Sequence, residues 1–209
     1  MKRDGQSAVL FQCRSIAAEN ADRAPAIANV RDGWYTVSRS NGKEGNGMKL
    51  ILHDLGEEYA KLLAQKADRV IAADGRYAPC QGCFGCWTKH PAECFMKDRL
   101  QQACRHLGAA DQVVIVTKNL YGGYSAPVKN VLDRSIGTST PFSTYLGGQM
   151  HHTLRYGKKA LWKVIVYGDA TEAERATFTY TAERNAVNEG CERSEIVFLE
   201  DLKGLEAAL

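Results

Sequence analysis

Between residues 80 and 98 the chain reads "CQGCFGCWTKHPAECFMKD", which sets Cys80, Cys83, Cys86 and Cys94 within fifteen positions. Thiolates spaced two residues apart can converge on one centre, and Gly82 and Gly85 would relieve the crowding that convergence imposes. Three chemistries fit: a [4Fe-4S] cluster on the four sulfurs, a zinc site in which His90 replaces one thiolate, and reduced thiols that wall a neighbouring binding site. Reduced thiols come first among these, because spacing alone does not establish a cage. Trp87 within the segment can stack on a ligand or close the loop, and closure is the preferred reading.

A second stretch, "KNLYGGYSAPVKNVLDRS", carries Tyr121, Gly122, Gly123, Tyr124 and Ser125. Adjacent glycines let backbone approach a flat ligand, and the two tyrosines can offer ring faces and hydroxyls beside it. Ser125 sits where a helix N-cap is expected, which would aim backbone N–H groups at the same place. The alternative is a plain Gly-Gly turn with partly buried tyrosines.

Other candidates read as structure. Cys104 falls on the apolar face of a helix pattern and Cys191 follows a capping Gly190, while Cys13 lies near the chain start. "GDATEAE" can form part of a ligand rim, and Asp169 or Thr171 as an N-cap explains it equally well. The densest basic segment, "HHTLRYGKK", with His151, His152, Arg155, Lys158 and Lys159, reads as a solvated loop, with a phosphate clamp as the second reading.

These residues need a scaffold. Residues 1–47 show no sustained period and end in the polar, glycine-rich "SRSNGKEGNG", so they are expected to form a flexible extension with Trp34 and Tyr35 as its anchors. Met48 is a candidate natural start. From there "KLILHDL", "DRVIAAD", "DQVVIVT", "ALWKVIVYG" and "SEIVFLED" read as five strands separated by helical patterns. The helix in "KDRLQQACRHLGAA" places Leu100, Ala103, Cys104 and Leu107 on one face with Gly108 as its stop, and the next sets Val128, Val131, Leu132 and Ile136 together. Strands apolar on both faces point to a parallel sheet covered on each side. Right-handed crossovers then give an α/β, flavodoxin-like doubly wound five-stranded parallel sheet of order 2-1-3-4-5, spanning residues 48–209. Such a sheet takes ligands at the carboxyl ends of its first and third strands, where the cysteine and tyrosine segments fall.

The composition narrows the function. With 209 residues, 44% of them apolar, the chain can bury a core, and its net charge of +3 is too mild and too scattered for a nucleic-acid footprint. Apolar runs such as "VVIV" are too short to cross a bilayer. No secretory or transit signal opens the sequence, and seven cysteines, four of them clustered, suit a reducing compartment; a cytoplasmic location is expected.

Taken together, "PCQGCFGCWTKHPAECFMKD" and "YGGYSAPVKNVLDR" resemble the flavodoxin-like NADPH-dependent FMN reductase family, and the cysteine spacing resembles its iron-sulfur flavoprotein branch. The resemblance implies an FMN-dependent oxidoreductase that moves electrons from a reduced nicotinamide, NADPH or NADH, to a small-molecule redox acceptor, often as a homodimer. It implies that Tyr121, Gly122, Gly123, Tyr124 and Ser125 contact the isoalloxazine ring, that Lys129, Asp133 and Arg134 support it, and that Cys80, Cys83, Cys86 and Cys94 would ligate a [4Fe-4S] cluster if one is present. One departure stands out. Where the family holds the FMN phosphate, this chain has "LHDLGEEYAKLL", whose Asp54, Glu57 and Glu58 repel an anion and whose Gly56 alone gives backbone freedom. A flavin-free binding module on the same fold is the competing reading.

Overall fold

The computed structural model describes residues 47–209, so the expectations for the preceding extension, including Trp34, Tyr35 and Cys13, lie outside the described residues. Strands β1 (Lys49–His53), β2 (Arg69–Ala72) and β3 (Gln112–Lys118) form one half of a parallel sheet. After them come a hairpin of β4 (Ser139–Leu146) and β5 (Gln149–Leu154), then β6 (Lys159–Tyr167) and β7 (Cys191–Leu199). The five-stranded sheet has the order β2-β1-β3-β6-β7, every pair parallel. This is the expected flavodoxin-like order, with the last two strands renumbered because the antiparallel β4–β5 hairpin precedes them in sequence.

Alternation along the central strands explains why they are apolar throughout. Leu50, Leu52, Val113, Ile115, Val164 and Val166 face one side, where α3 (Ala103–Ala109), α4 (Ala126–Asp133) and α5 (Glu172–Asn188) contribute Leu107, Val128, Val131 and Phe178. Ile51, Val114, Val116 and Ile165 face the other, covered by Leu63 of α1 (Ala60–Lys66) and Leu205 of α6 (Leu205–Ala208). Each such side chain contributes roughly 1.5–3 kcal/mol by leaving water, so neither helical layer can be removed cheaply. The remaining helix, α2 (Gly85–Thr88), is a single turn inside the cysteine segment.

Local signals set the helix ends. Thr171 caps α5 through a capping box: its hydroxyl accepts the Glu174 N–H at 3.3 Å, and the Glu174 carboxylate accepts the Thr171 N–H at 2.8 Å. Gly190 ends that helix region at φ 69°, a left-handed conformation that glycine adopts without steric cost.

Three expectations are corrected. "HHTLRYGKK" is a loop only over residues 155–158, since His151 and His152 belong to β5 and Lys159 opens β6. Ile136 has left the α4 face, because that helix ends at Asp133 and Ile136 starts a 3-10 turn. Gly108 is no helix stop: it lies within α3, where a Cβ would overlap the ring of Tyr156. Gly108→Ala in a helix interior would ordinarily gain up to about 1 kcal/mol. Here it should lose about 1–3 kcal/mol through overpacking, read as a lower urea midpoint; an unchanged or higher midpoint would show that the Tyr156 ring yields freely.

Candidate functional site

The cysteine segment is long and mostly irregular, so its position depends on tethers. Asp98 is the principal one. Its carboxylate accepts the N–H groups of Leu100 at 3.0 Å and Ala78 at 3.2 Å and pairs with Arg134, which closes α4. Burial alone would raise the pKa of Asp98, but the hydrogen bonds from Arg134, Leu100 and Ala78 outweigh it and hold the carboxyl below its usual range. Arg134 also donates to Ala78 O at 3.1 Å, and its side chain has no solvent exposure. Two further ties come from Tyr77, whose hydroxyl donates to Pro127 O at 2.8 Å, and from Arg99, which pairs with Asp74 at 2.7 Å and donates to Ala72 O.

Within this frame the thiols surround one cavity of about 310 Å³, lined by Cys80, Cys83, Cys86 and Cys94 together with the apolar Phe84, Phe95, Met96 and Ile136. Arg134 and Asp133 complete its wall. Two non-glycine residues here hold left-handed backbone, Phe84 at φ 54° and Ala92 at φ 63°. Such conformations cost about 1–3 kcal/mol each and persist only where the surroundings over-determine them. For Ala92 the determinant is an N–H bond to Cys86 O at 2.9 Å; for Phe84 it is the Trp87 ring at 4.9 Å. Trp87 in turn packs its ring, tilted by 51°, against His152 at 4.6 Å and donates its indole N–H to Ile136 O at 2.9 Å, so it closes the loop against the hairpin.

Cys80 and Cys83 are exposed, and Cys86 and Cys94 are half-buried. Among the described residues no group of three or more His, Cys, Asp or Glu side chains is arranged to hold a metal ion. Cys104, read from the sequence as core, is fully buried and donates its S–H to Arg134 O at 3.2 Å. It is also the hydrogen-bond neighbour of Cys86. That contact, helped by Arg155 and the Gly137 N–H, outweighs burial and lowers the Cys86 pKa to about 7. The same contact together with burial pushes Cys104 far up. Sequence spacing could not pair these two, because they meet only where the 3-10 turn carrying Gly137 packs between α2 and α3.

The tyrosine segment takes a different form from a flat platform. Leu120 and Gly123 exchange N–H to carbonyl bonds at 3.0 Å around Tyr121 at φ 52° and Gly122 at φ 78°, a tight turn. Tyr121 is 88% exposed. Gly122 lies so close to α5 that a Cβ would stand 3.1 Å from the Glu174 backbone, and its N–H donates to Asn119 Oδ1 at 3.1 Å. Tyr124 turns inward: it is buried, its ring meets Phe178 edge-on at 4.9 Å, and its hydroxyl accepts from Asn185, with burial raising the phenol to about 12. Ser125 donates its N–H to Thr117 Oγ1 at 3.0 Å, while its own hydroxyl is buried without a hydrogen-bond partner. Lys129 and Asp133 pair with each other along α4.

At the end of β1, Asp54 already accepts the Lys118 N–H at 3.0 Å and the Thr117 hydroxyl at 3.4 Å. Glu57 and Glu58 follow, both exposed, in a 3-10 turn that precedes the seven-residue α1. Three carboxylates therefore stand at this junction, and it does not fit a phosphate dianion. The basic segment offers no replacement clamp. His151 contacts Asn188 at 3.1 Å, His152 packs at a tilt against Trp87, Arg155 donates to Gly137 O at 3.0 Å, and Lys159 is buried against Glu189 at 3.5 Å. The ring-side rim is different, because the free Ser125 hydroxyl and the exposed Tyr121 suit the polar edge and face of a planar ring.

Residues 52–155 match the family model described as NADPH-dependent FMN reductase. The chain is 30% identical over 95 residues to an iron-sulfur flavoprotein of Archaeoglobus fulgidus, covering 46% of each chain. It is 29% identical over 100 residues to an iron-sulfur flavoprotein of Methanosarcina thermophila, covering 48% of this chain and 50% of that one. It thus spans about half the length of these curated relatives. Among solved structures it is similar to an NAD(P)H:quinone oxidoreductase from Methanothermobacter marburgensis, at 12% identity and a TM-score of 0.49, over 78% of this chain and 94% of that one.

The Cys86 environment predicts its reactivity. Only the thiolate alkylates, so iodoacetamide labelling of Cys86, followed by peptide mass mapping, should rise with a midpoint of about pH 7, below the ~8.5 of an ordinary thiol. Cys104→Ala should move that midpoint upward, since the Cys104 hydrogen bond is its main cause. A wild-type midpoint above pH 8 would contradict the geometry.

Proposed function

Because the chain belongs to the NADPH-dependent FMN reductase family, we propose that it is a flavin-dependent oxidoreductase that uses FMN, takes electrons from NADPH and passes them to a small-molecule redox acceptor. The observation that carries this reading is the rim after β3, where Tyr121 is exposed and the Ser125 hydroxyl is buried and unpartnered at the carboxyl end of the sheet. The redox chemistry is the flavin's own; this chain's residues bind and orient the ring and keep water from its edge. Binding is ring-first, since the β1 junction disfavours the phosphate.

The cysteine loop enters the proposal as reduced thiols walling the site. Two relatives are named iron-sulfur flavoproteins, and Cys80, Cys83, Cys86 and Cys94 are the ligands if the chain assembles a [4Fe-4S] cluster, which anaerobic purification with iron and sulfide assays decides. A cytoplasmic setting goes with reduced thiols. Among the described residues no helix is long and apolar enough to cross a membrane.

A second reading, a flavin-free binding module, is favoured by Asp54 occupying the Lys118 amide. Titrating the purified chain with FMN and riboflavin, then adding NADPH without oxygen, separates the two. Expected are micromolar binding of both flavins with similar affinities, bleaching by NADPH, and Asp54→Asn tightening FMN about fivefold or more, on the order of 1 kcal/mol, with riboflavin unchanged. Absence of binding by either flavin would leave only the second reading.

We also propose a homodimer, supported by the hairpin's exposed Phe142, Tyr145, Leu146 and Met150. Light scattering should give twice the 23.0 kDa chain mass; a monomer at micromolar concentration would remove this part of the proposal.

A further inference from the structure

A guanidinium is rich in N–H donors, and the Arg134 side chain is closed off from solvent without using all of them. Its Nη1 serves the Asp98 carboxylate and Ala78 O, the latter at 3.1 Å. Its Nε and Nη2 are buried with no hydrogen-bond partner. These two nitrogens form one edge of the planar group, so the unused donors stand side by side, in the fork that two oxygens of a single anion satisfy together. Buried donors are nearly always paired, so two on one group point to an occupant.

A second observation lies on the same wall. Arg134 lines the cavity of about 310 Å³ together with Phe84, Phe95, Met96 and Ile136. Phe84, Phe95 and Ile136 are 48%, 50% and 37% exposed, although each is large and apolar. Such side chains around a concave surface, with one cation behind them, describe a pocket for an apolar body with one ionic end. Phe84 takes its place there from left-handed backbone at φ 54°, strain of the kind that clusters at ligand clamps.

The charges nearby choose the anion. Arg134 is already matched by Asp98, and Asp133, on the same wall, is matched by Lys129. A monoanion adds one negative charge to a balanced site, whereas a phosphate dianion adds two beside apolar groups that solvate neither. We propose that the cavity binds a small aromatic monocarboxylate, whose two oxygens take the Nε and Nη2 edge of Arg134 and whose ring lies against Phe84, Phe95 and Met96. The site rests on the reading of the loop cysteines as reduced thiols, none of which is ionised or bonded in this role. It is separate from the rim after β3, since neither Tyr121 nor Ser125 lines the cavity.

The probe is 2-naphthoate, titrated by calorimetry into the full-length chain kept reduced. Expected is a single site with a Kd of about 100 μM or below, and binding weaker by about tenfold or more for 2-naphthamide, which has the same body without the charge. Inorganic phosphate should not displace the naphthoate. Arg134→Lys keeps a cation for Asp98 but removes the two-donor edge, so it should weaken naphthoate by about tenfold or more and leave naphthamide unchanged. Phe95→Ala, at a half-exposed position, should weaken both, and it keeps the site testable where the first variant folds poorly. Saturating riboflavin should leave naphthoate binding as it is, so the result stands whether or not flavin binds. Equal affinity for naphthoate and naphthamide, unchanged affinity in a folded Arg134→Lys, displacement by riboflavin, or iron and sulfide co-purifying anaerobically on the cysteines would overturn the proposal. So would absence of naphthoate binding at millimolar concentration, which would leave water alone on the Arg134 edge.

Discussion

The charge pair between Arg134 and Asp98 fixes more of this site than any other contact. A guanidinium without solvent exposure at the end of α4 must find an anion, and stripping a buried pair of one partner costs about 3–5 kcal/mol because the other is left uncompensated. Asp98 meets that demand and uses its remaining lone pairs on the Ala78 and Leu100 N–H groups. One carboxylate thereby ties both ends of the cysteine segment to the helix after β3. Between β2 and α3 the chain runs about thirty residues with one short helix, longer than loops in compact domains usually run without such a fastening.

That fastening is what lets the loop carry strain. Phe84 and Ala92 hold backbone that non-glycine residues avoid, and Trp87, wedged between Phe84 and His152, keeps the first of them in place. The hairpin thus acts as a brace for the thiol loop as well as an exposed surface. On the opposite side of the crevice, Asn119 bridges the β3 and β6 ends by donating to Asp169 O at 2.8 Å, and Asp54 bridges β1 to β3. The crevice is stiff at both edges, but one edge is acidic and the other thiol-rich.

Much of the fold was legible in the sequence because each strand is buried on two faces and each long helix on one, so both periods stand out; Leu50 and Ile51 face different layers and both read as core. The hairpin was missed because β4 and most of β5 face solvent, leaving polar and basic residues where a buried strand shows alternation. Its signal was the Gly147-Gly148 pair, at φ 59° and 79°, the turn that two-residue hairpins require. Gly108 misled because a glycine near a helix end resembles a stop, whereas Tyr156, nearly fifty residues away, is what requires it. The same limit applies to the site. Cys104 was recognised as core, but its neighbour Cys86 lies on another element, and only packing brings the two together.

Gly137 has a consequence for how this chain can vary. A Cβ at that point would come within 2.9 Å of the Cys104 sulfur and 3.1–3.2 Å of the Cys86 Cβ and carbonyl, so a larger residue at 137 would press α2 and α3 apart rather than fill a gap between them.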